Sequence, residues 1–302
     1  METELRDRVL DLKRRKRALI LVHNYQMGEV QGVADHIGDS LGLARIAMRA
    51  EERLIVFCGV RFMAETAKIL NPEAKVLIPR DDATCPMADM IQPADIGRLR
   101  QEYPGAVVCS YVNTNADVKA VTDVCCTSAN AVEVVRNLGK SRVVFTPDRN
   151  LASYVARNVN SEIIPFDGYC YVHMKFSRDD IRRARLAHPG APVLVHPECR
   201  PEVIDEADRV LSTSGMVEFA RTSPASEFII ATEEGLIERL SREIPGKRFY
   251  SAGSARFCFN MKRIRLGDVY LSLDREIYEV QLPPAVMEKA RASLERMVVT
   301  GK

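Results

Sequence analysis

The sequence predicts an α/β protein of three homologous αβα domains, each built on a small parallel sheet, set about a pseudo-threefold axis with the active site at the centre. Three observations carry this. Short apolar runs alternate with helical stretches along the chain, the pattern of strands joined by crossover helices. A polar residue closes one such run in each third of the chain, at His23, Tyr111 and His196, and a hydroxyl residue follows 17 positions later at Ser40, Ser128 and Thr213. Eighteen positions further lie Cys58, Thr146 and Ala231, each ending another apolar run; two fixed intervals in three copies indicate internal triplication.

The elements follow in order. Residues 1–17 read as a helix, with Leu5, Val9 and Leu12 at helical spacing. Ala18 to Val22 is short and apolar enough for a buried strand, and it ends at His23-Asn24-Tyr25. After a helical stretch and Gly38-Asp39-Ser40 come a helix over Leu41 to Ala50 and a strand over Leu54 to Cys58. The helix Phe62 to Leu70 is stopped by Asn71-Pro72, and a strand over Val76 to Ile78 leads to the loop of Cys85. The second copy runs from strand Ala106–Ser110 through Tyr111-Val112-Asn113, helix Ala129–Leu138, strand Val143–Phe145, helix Leu151–Asn158 and strand Glu162–Ile164 to Cys170. The third runs from Pro192–Val195 through His196-Pro197-Glu198, a helix after Ser212-Thr213, strand Phe228–Ile230, helix Leu236–Glu243 and Phe249-Tyr250 to Cys258. The domains divide as 1–84, 85–170 and 171–258, with 259–302 packing back on the first.

Composition narrows the class of protein. The chain of 302 residues is 46% hydrophobic and 28% charged, ordinary for a soluble globular protein. A net charge of +2 gives no general attraction for nucleic acid. The acidic start lacks the apolar core of a signal peptide, and no apolar run reaches the ~18 residues of a membrane span, so the expected location is cytoplasmic. In a reducing compartment, eight cysteines argue for metal or catalytic use over a disulfide framework.

Cys85, Cys170 and Cys258, spaced by 85 and 88 residues, lie beyond equivalent strands. Three thiolates suit zinc or an iron–sulfur cluster, and a cluster iron without a protein ligand is an open Lewis-acid position. A lone cysteine is more often a small buried hydrophobe, which accounts for Cys58 and Cys109 in their apolar runs and leaves Cys125, Cys126 and Cys199 unassigned. Ser40, Ser128 and Thr213 read equally as helix N-caps and as an anion-binding ring of helix termini. His23, Tyr25, Tyr111, Asn113, His196 and Glu198 bring acid–base and hydrogen-bonding groups to carboxyl ends of strands, where parallel sheets bind ligands. His173 and Lys175 are rim candidates, while His36 and His188 read as structural.

At these residues the chain resembles the quinolinate synthase family over nearly its whole length. The resemblance rests on His23-Asn24-Tyr25, Thr84-Cys85-Pro86-Met87-Ala88, Tyr111-Val112-Asn113-Thr114, Cys126-Thr127-Ser128-Ala129-Asn130, Pro147-Asp148, His196-Pro197-Glu198-Cys199 and Ser212-Thr213-Ser214-Gly215-Met216. It implies a [4Fe-4S] cluster on Cys85, Cys170 and Cys258 with one open iron. It also implies condensation of iminoaspartate, from an aspartate oxidase or dehydrogenase, with dihydroxyacetone phosphate to give quinolinate, phosphate and water. Some relatives carry a C-x-x-C-x-x-C run at the third ligand; Phe257-Cys258-Phe259-Asn260-Met261 offers one cysteine, the shorter form. On this basis Glu198, Tyr25, His196 and Tyr111 are expected to be catalytic, with Glu198 and Tyr25 the candidates for moving protons. His23, Ser40, Tyr111, Asn113, Ser128, His196, Glu198 and Thr213 are expected to bind substrate. The alternatives are another open-iron [4Fe-4S] hydro-lyase, a non-enzymatic iron–sulfur sensor and a zinc site on the same cysteines.

Overall fold

The computed structural model describes residues 2–299; residue 1 and residues 300–302, included in the expected terminal segments, lie outside it. The first repeat comprises α1 (Glu2–Lys16), β1 (Ala18–His23), α2 (Gly28–Gln31), β2 (His36–Gly38), α3 (Ser40–Arg49), β3 (Leu54–Cys58), α4 (Arg61–Leu70) and β4 (Lys75–Leu77). The second comprises α5 (Pro93–Glu102), β5 (Val107–Tyr111), α6 (Ala116–Lys119), β6 (Val124–Cys126), α7 (Ala131–Leu138), β7 (Arg142–Thr146), α8 (Arg149–Ala156) and β8 (Glu162–Pro165). The third comprises α9 (Arg178–Ala187), β9 (Val193–Val195), α10 (Pro201–Ile204), β10 (Arg209–Val210), α11 (Thr213–Thr222), β11 (Glu227–Ala231), α12 (Gly235–Glu243) and β12 (Arg248–Ser251). Two helices, α13 (Leu266–Arg275) and α14 (Pro284–Val299), close the chain.

Each repeat forms a four-stranded, wholly parallel sheet, ordered β2-β1-β3-β4, β6-β5-β7-β8 and β10-β9-β11-β12. The topology is the same in all three. The first and third strands of each repeat lie at the centre and are almost wholly buried, because helices cover both faces of such sheets. This is why the sequence shows them as continuous apolar runs. The edge strands β2, β6 and β10 escaped that reading: they are two or three residues long, too short for a hydrophobic period, and β2 and β10 carry His36 and Arg209.

One device recurs just before each of these edge strands. The carboxylates of Asp35, Asp123 and Asp208 accept from the backbone N–H of Ile20, Val108 and Val193 at 2.8, 2.8 and 2.7 Å. Each also pairs with a basic residue from the repeat's leading helix: Lys13, Arg100 and Arg185, at 2.8, 2.9 and 3.0 Å.

The triplication runs past the third cysteine. Seven positions after each cysteine stand Gln92, Ser177 and Arg265, whose backbone N–H donates to Asp95, Asp180 and Asp268 at the first turn of α5, α9 and α13. Helix α13 is thus the opening helix of a fourth repeat. It packs on α1, α2 and β3, while α14 spans the first two repeats, against α3 and α4 of one and α6 and β6 of the other. No helix among the described residues is long and apolar enough to cross a membrane.

Candidate active site

All twelve residues expected at the site line one cavity, with walls from every repeat. His23 and Tyr111 end β1 and β5; Tyr25, Asn113, His196 and Glu198 lie just beyond β1, β5 and β9. The parallel topology brings these carboxyl ends together from positions more than 170 residues apart in sequence.

The hydroxyl residues differ from one of their two expected roles. The caps of α3 and α11 are the residues before them, Asp39 accepting from Gly42 N at 2.9 Å and Ser212 Oγ from Gly215 N at 3.2 Å; α7 starts only at Ala131 with Asn130 at its cap position, and Thr127 Oγ1 accepts from Ala129 N at 3.2 Å in the turn before it. With capping met, Ser40, Ser128 and Thr213 turn to the cavity. Thr213 is held there by Asn24, which donates from Nδ2 at 2.7 Å and receives Arg239 on its amide oxygen.

The cysteines divide in two. Cys58, Cys109, Cys125, Cys126 and Cys199 are fully buried packing groups, whereas Cys85, Cys170 and Cys258 are the three partly exposed ones, and all line the cavity. Each precedes a 3₁₀ turn, at Ala88–Met90, His173–Lys175 and Met261–Arg263. The carbonyl oxygen of each accepts from the N–H four residues on, at 3.2, 3.0 and 3.0 Å from Asp89, Met174 and Lys262. The turn aims amides at sulfur: Ala88 and Met87 at Cys85, His173 at Cys170, Met261 and Asn260 at Cys258. Burial pushes the thiols up, that of Cys85 to about 12, and these amides act against it. Three thiols on one cavity, each met by N–H donors of its own turn, fit a metal centre that takes thiolate ligands. The Cys170 loop is closely fitted: a Cβ on Gly168 would lie 2.5 Å from the Pro147 carbonyl oxygen, so the approach to the strand end at Asp148 requires glycine.

Around Glu198 runs a chain of polar contacts. Tyr25 Oη lies 2.6 Å from Thr232 Oγ1, which lies 2.9 Å from His173 Nε2. His173 Nδ1 is 3.0 Å from Glu198 Oε2 and 3.1 Å from Cys170 Sγ. The same carboxylate oxygen is 3.2 Å from His196 Nδ1, and His196 Nε2 is 3.2 Å from Ser128 Oγ. The other oxygen, Oε1, is buried without a hydrogen-bond partner among the described residues, as is Asn113 Oδ1. Burial alone would raise the Glu198 carboxyl, but His173 and His196 beside it hold it below the ordinary carboxylate range. Burial pushes Tyr25 and Tyr111 well above the usual phenol range, with the Glu198 charge adding to it. His23 is driven down to about 3 by burial, with His196 and Lys262 adding to the effect. At neutral pH the site therefore holds a carboxylate, protonated phenols and a neutral His23.

Cys170, His173 and Glu198 also form a compact group able to hold a metal ion. His173 was no more than a rim candidate in the sequence because Ala88 and Met261 occupy its place in the other repeats. Thr232 was missed, although it directly follows Ala231, the end of the interval that revealed the repeat.

A three-part α/β enzyme with acid–base groups and three cysteines around one central cavity is the class defined by this fold and site. Comparison with known proteins narrows it. A family model described as quinolinate synthetase A protein matches residues 7–299. The quinolinate synthase of Methanoregula boonei is 50% identical over 294 residues, covering 97% of each chain. That of Pyrococcus horikoshii is 48% identical over 301 residues, covering 99% of this chain and all of its own, and that of Thermodesulfovibrio yellowstonii is 48% identical over 293 residues, 97% of each. The chain belongs to the quinolinate synthetase A family, and its activity is quinolinate synthesis in NAD biosynthesis on small-molecule substrates.

Proposed function

We propose that the chain condenses iminoaspartate with dihydroxyacetone phosphate to quinolinate, phosphate and water, using a [4Fe-4S] cluster held by Cys85, Cys170 and Cys258. The observation that carries this is the convergence of three equivalent cysteine turns, one per repeat, on the cavity that also holds the acid–base residues. A cluster held by Cys85, Cys170 and Cys258 would supply Lewis-acid chemistry for loss of water.

The chain's own residues do the rest. Helix N-termini carrying Ser40 and Thr213, and the turn of Ser128, present hydroxyls and backbone N–H groups to the carboxylates of one substrate and the phosphate of the other. His23, Tyr111, Asn113 and His196 complete the polar wall. Glu198 takes protons on Oε1, the oxygen left free while Oε2 is oriented by His173 and His196. Tyr25, kept protonated by burial, donates from its hydroxyl. Iminoaspartate is unstable in water and comes from an aspartate oxidase or dehydrogenase.

A mononuclear ion on Cys170, His173 and Glu198 is the competing reading. The two separate by ligand set. Anaerobic purification of wild type and Cys170→Ala, with iron and acid-labile sulfide counts and a quinolinate assay, decides between them. We expect about four irons and four sulfides in the wild type, and loss of both, with activity, in the variant. A full cluster in Cys170→Ala, or metal without sulfide in the wild type, overturns the assignment.

A further inference from the structure

The residue two positions past the third strand of each sheet differs among the repeats: Val60 after β3, Asp148 after β7 and Glu233 after β11. In all three repeats the next residue donates its backbone N–H to the carbonyl two positions before the cysteine: Arg61 to Ala83 at 2.8 Å, Arg149 to Gly168 at 2.9 Å and Glu234 to Arg256 at 3.0 Å. The second and third repeats add a side-chain bridge. Asp148 Oδ2 accepts from Cys170 N at 3.1 Å while Oδ1 accepts from Leu151 N at 2.6 Å. Glu233 Oε1 accepts from Cys258 N at 3.0 Å while Oε2 accepts from Gly235 N at 2.7 Å. Both carboxylates are fully buried.

Helix capping explains one oxygen of Asp148 and neither of Glu233, because Glu234 occupies the cap position of α12. The second oxygen in each case goes to the amide of the cysteine itself. Glu233 carries a further connection: Lys262 Nζ lies 2.9 Å from its Oε1 and donates to the carbonyl oxygen of Tyr25 at 2.5 Å. The third cysteine turn is thereby clasped to the strand end that presents Tyr25. A buried carboxylate spanning two main-chain amides fixes the distance between them, and fixing ligand orientation is how residues behind a metal centre act on it.

We propose that Asp148 and Glu233 are positioning residues that hold the main chain of Cys170 and Cys258 in ligating geometry, with the Glu233–Lys262 pair tying the third turn to Tyr25. The Cys85 turn, with Val60 at this position, lacks the bridge. This rests on the reading that the three cysteines hold the cluster.

The test uses anaerobically purified holoenzyme and follows iron release to a ferrous chelator. Asp148→Ser and Glu233→Asp keep an oxygen for the helix amide but fall short of the cysteine amide; Asp148→Ala and Glu233→Ala remove both bonds. We expect iron release to quicken about 10- to 100-fold in all four, with a shifted paramagnetic resonance spectrum in the fraction that keeps its cluster. The cluster-free chain should still unfold cooperatively in Asp148→Ser and Glu233→Asp, with its midpoint lowered by no more than the loss of one backbone hydrogen bond. If the alanine variants do not fold, these two decide. Wild-type release rates and spectra in both overturn the proposal. A wild type that binds metal without sulfide sinks the cluster reading instead, which keeps the two failures distinct.

Discussion

Just before the edge strands, Asp35, Asp123 and Asp208 repeat one arrangement down to the ion pair behind it, whereas beyond the third strands Val60, Asp148 and Glu233 put three chemistries at one position. The first set of contacts holds a strand to the loop entering its neighbour, a task that is identical in each sheet. The second stands at or behind the loops that line a single shared cavity, where a threefold set of side chains would supply three copies of one group to substrates that lack threefold symmetry. At the cavity the strand ends diverge likewise, as His23, Tyr111 and His196, and His173 has no counterpart in the other turns. Repetition built the scaffold, and the chemistry required its loss.

The largest effect expected is at the divergent end. Glu198→Gln keeps the shape of the side chain and removes the base, so kcat should fall about 10²- to 10⁴-fold while iron and sulfide contents stay at wild-type values. Steady-state kinetics with cluster analysis checks this. A kcat within twofold of wild type removes Glu198 from proton transfer.

The next is a dependence on pH. His23 binds its proton near pH 3 in the folded chain and near 6.5 when unfolded. Between these values the unfolded chain holds more protons, so stability present above 6.5 is lost as pH falls, at up to about 1.4 kcal/mol per pH unit. Denaturant titration of the cluster-free chain from about pH 7 to about pH 5 should give a shallower slope for His23→Gln than for wild type. Parallel slopes would show that His23 is not a buried neutral imidazole.

The smallest effect tests the symmetric end. Asp35→Ala, Asp123→Ala and Asp208→Ala each strand a backbone N–H and should lower stability by ~1–3 kcal/mol. The three losses should agree with one another and leave cluster content unchanged. Unequal losses, read from denaturation midpoints, would break the claim that this device does the same work in every repeat.

Much of this was legible in the sequence because the signals were local or periodic. Apolar runs such as Ala18–Val22 and Leu54–Cys58 mark central parallel strands, since a strand buried on both faces tolerates nothing polar. The fixed intervals identified His23, Tyr111 and His196, and likewise Ser40, Ser128 and Thr213, as equivalent, and the three parallel sheets turn their carboxyl ends to one cavity. The resemblance to quinolinate synthases added the expected cluster and substrates.

What only the tertiary structure decided depends on partners distant in the chain. The expectation that 259–302 packs back on the first domain does not say which elements meet, nor that α14 reaches α6 and β6 of the second repeat while α13 lies against α1, α2 and β3. Whether Ser40 or Asp39 caps α3 turns on side-chain direction at a helix start, which residue type leaves open. The bond from Glu233 to Cys258 and the ion pair with Lys262 join residues more than twenty positions apart, across α12 and β12. A hydrophobic pattern fixes which segments are buried and in what order they stack. It carries no information about which buried polar group finds which partner, because that choice is made by geometry after the sheets have packed.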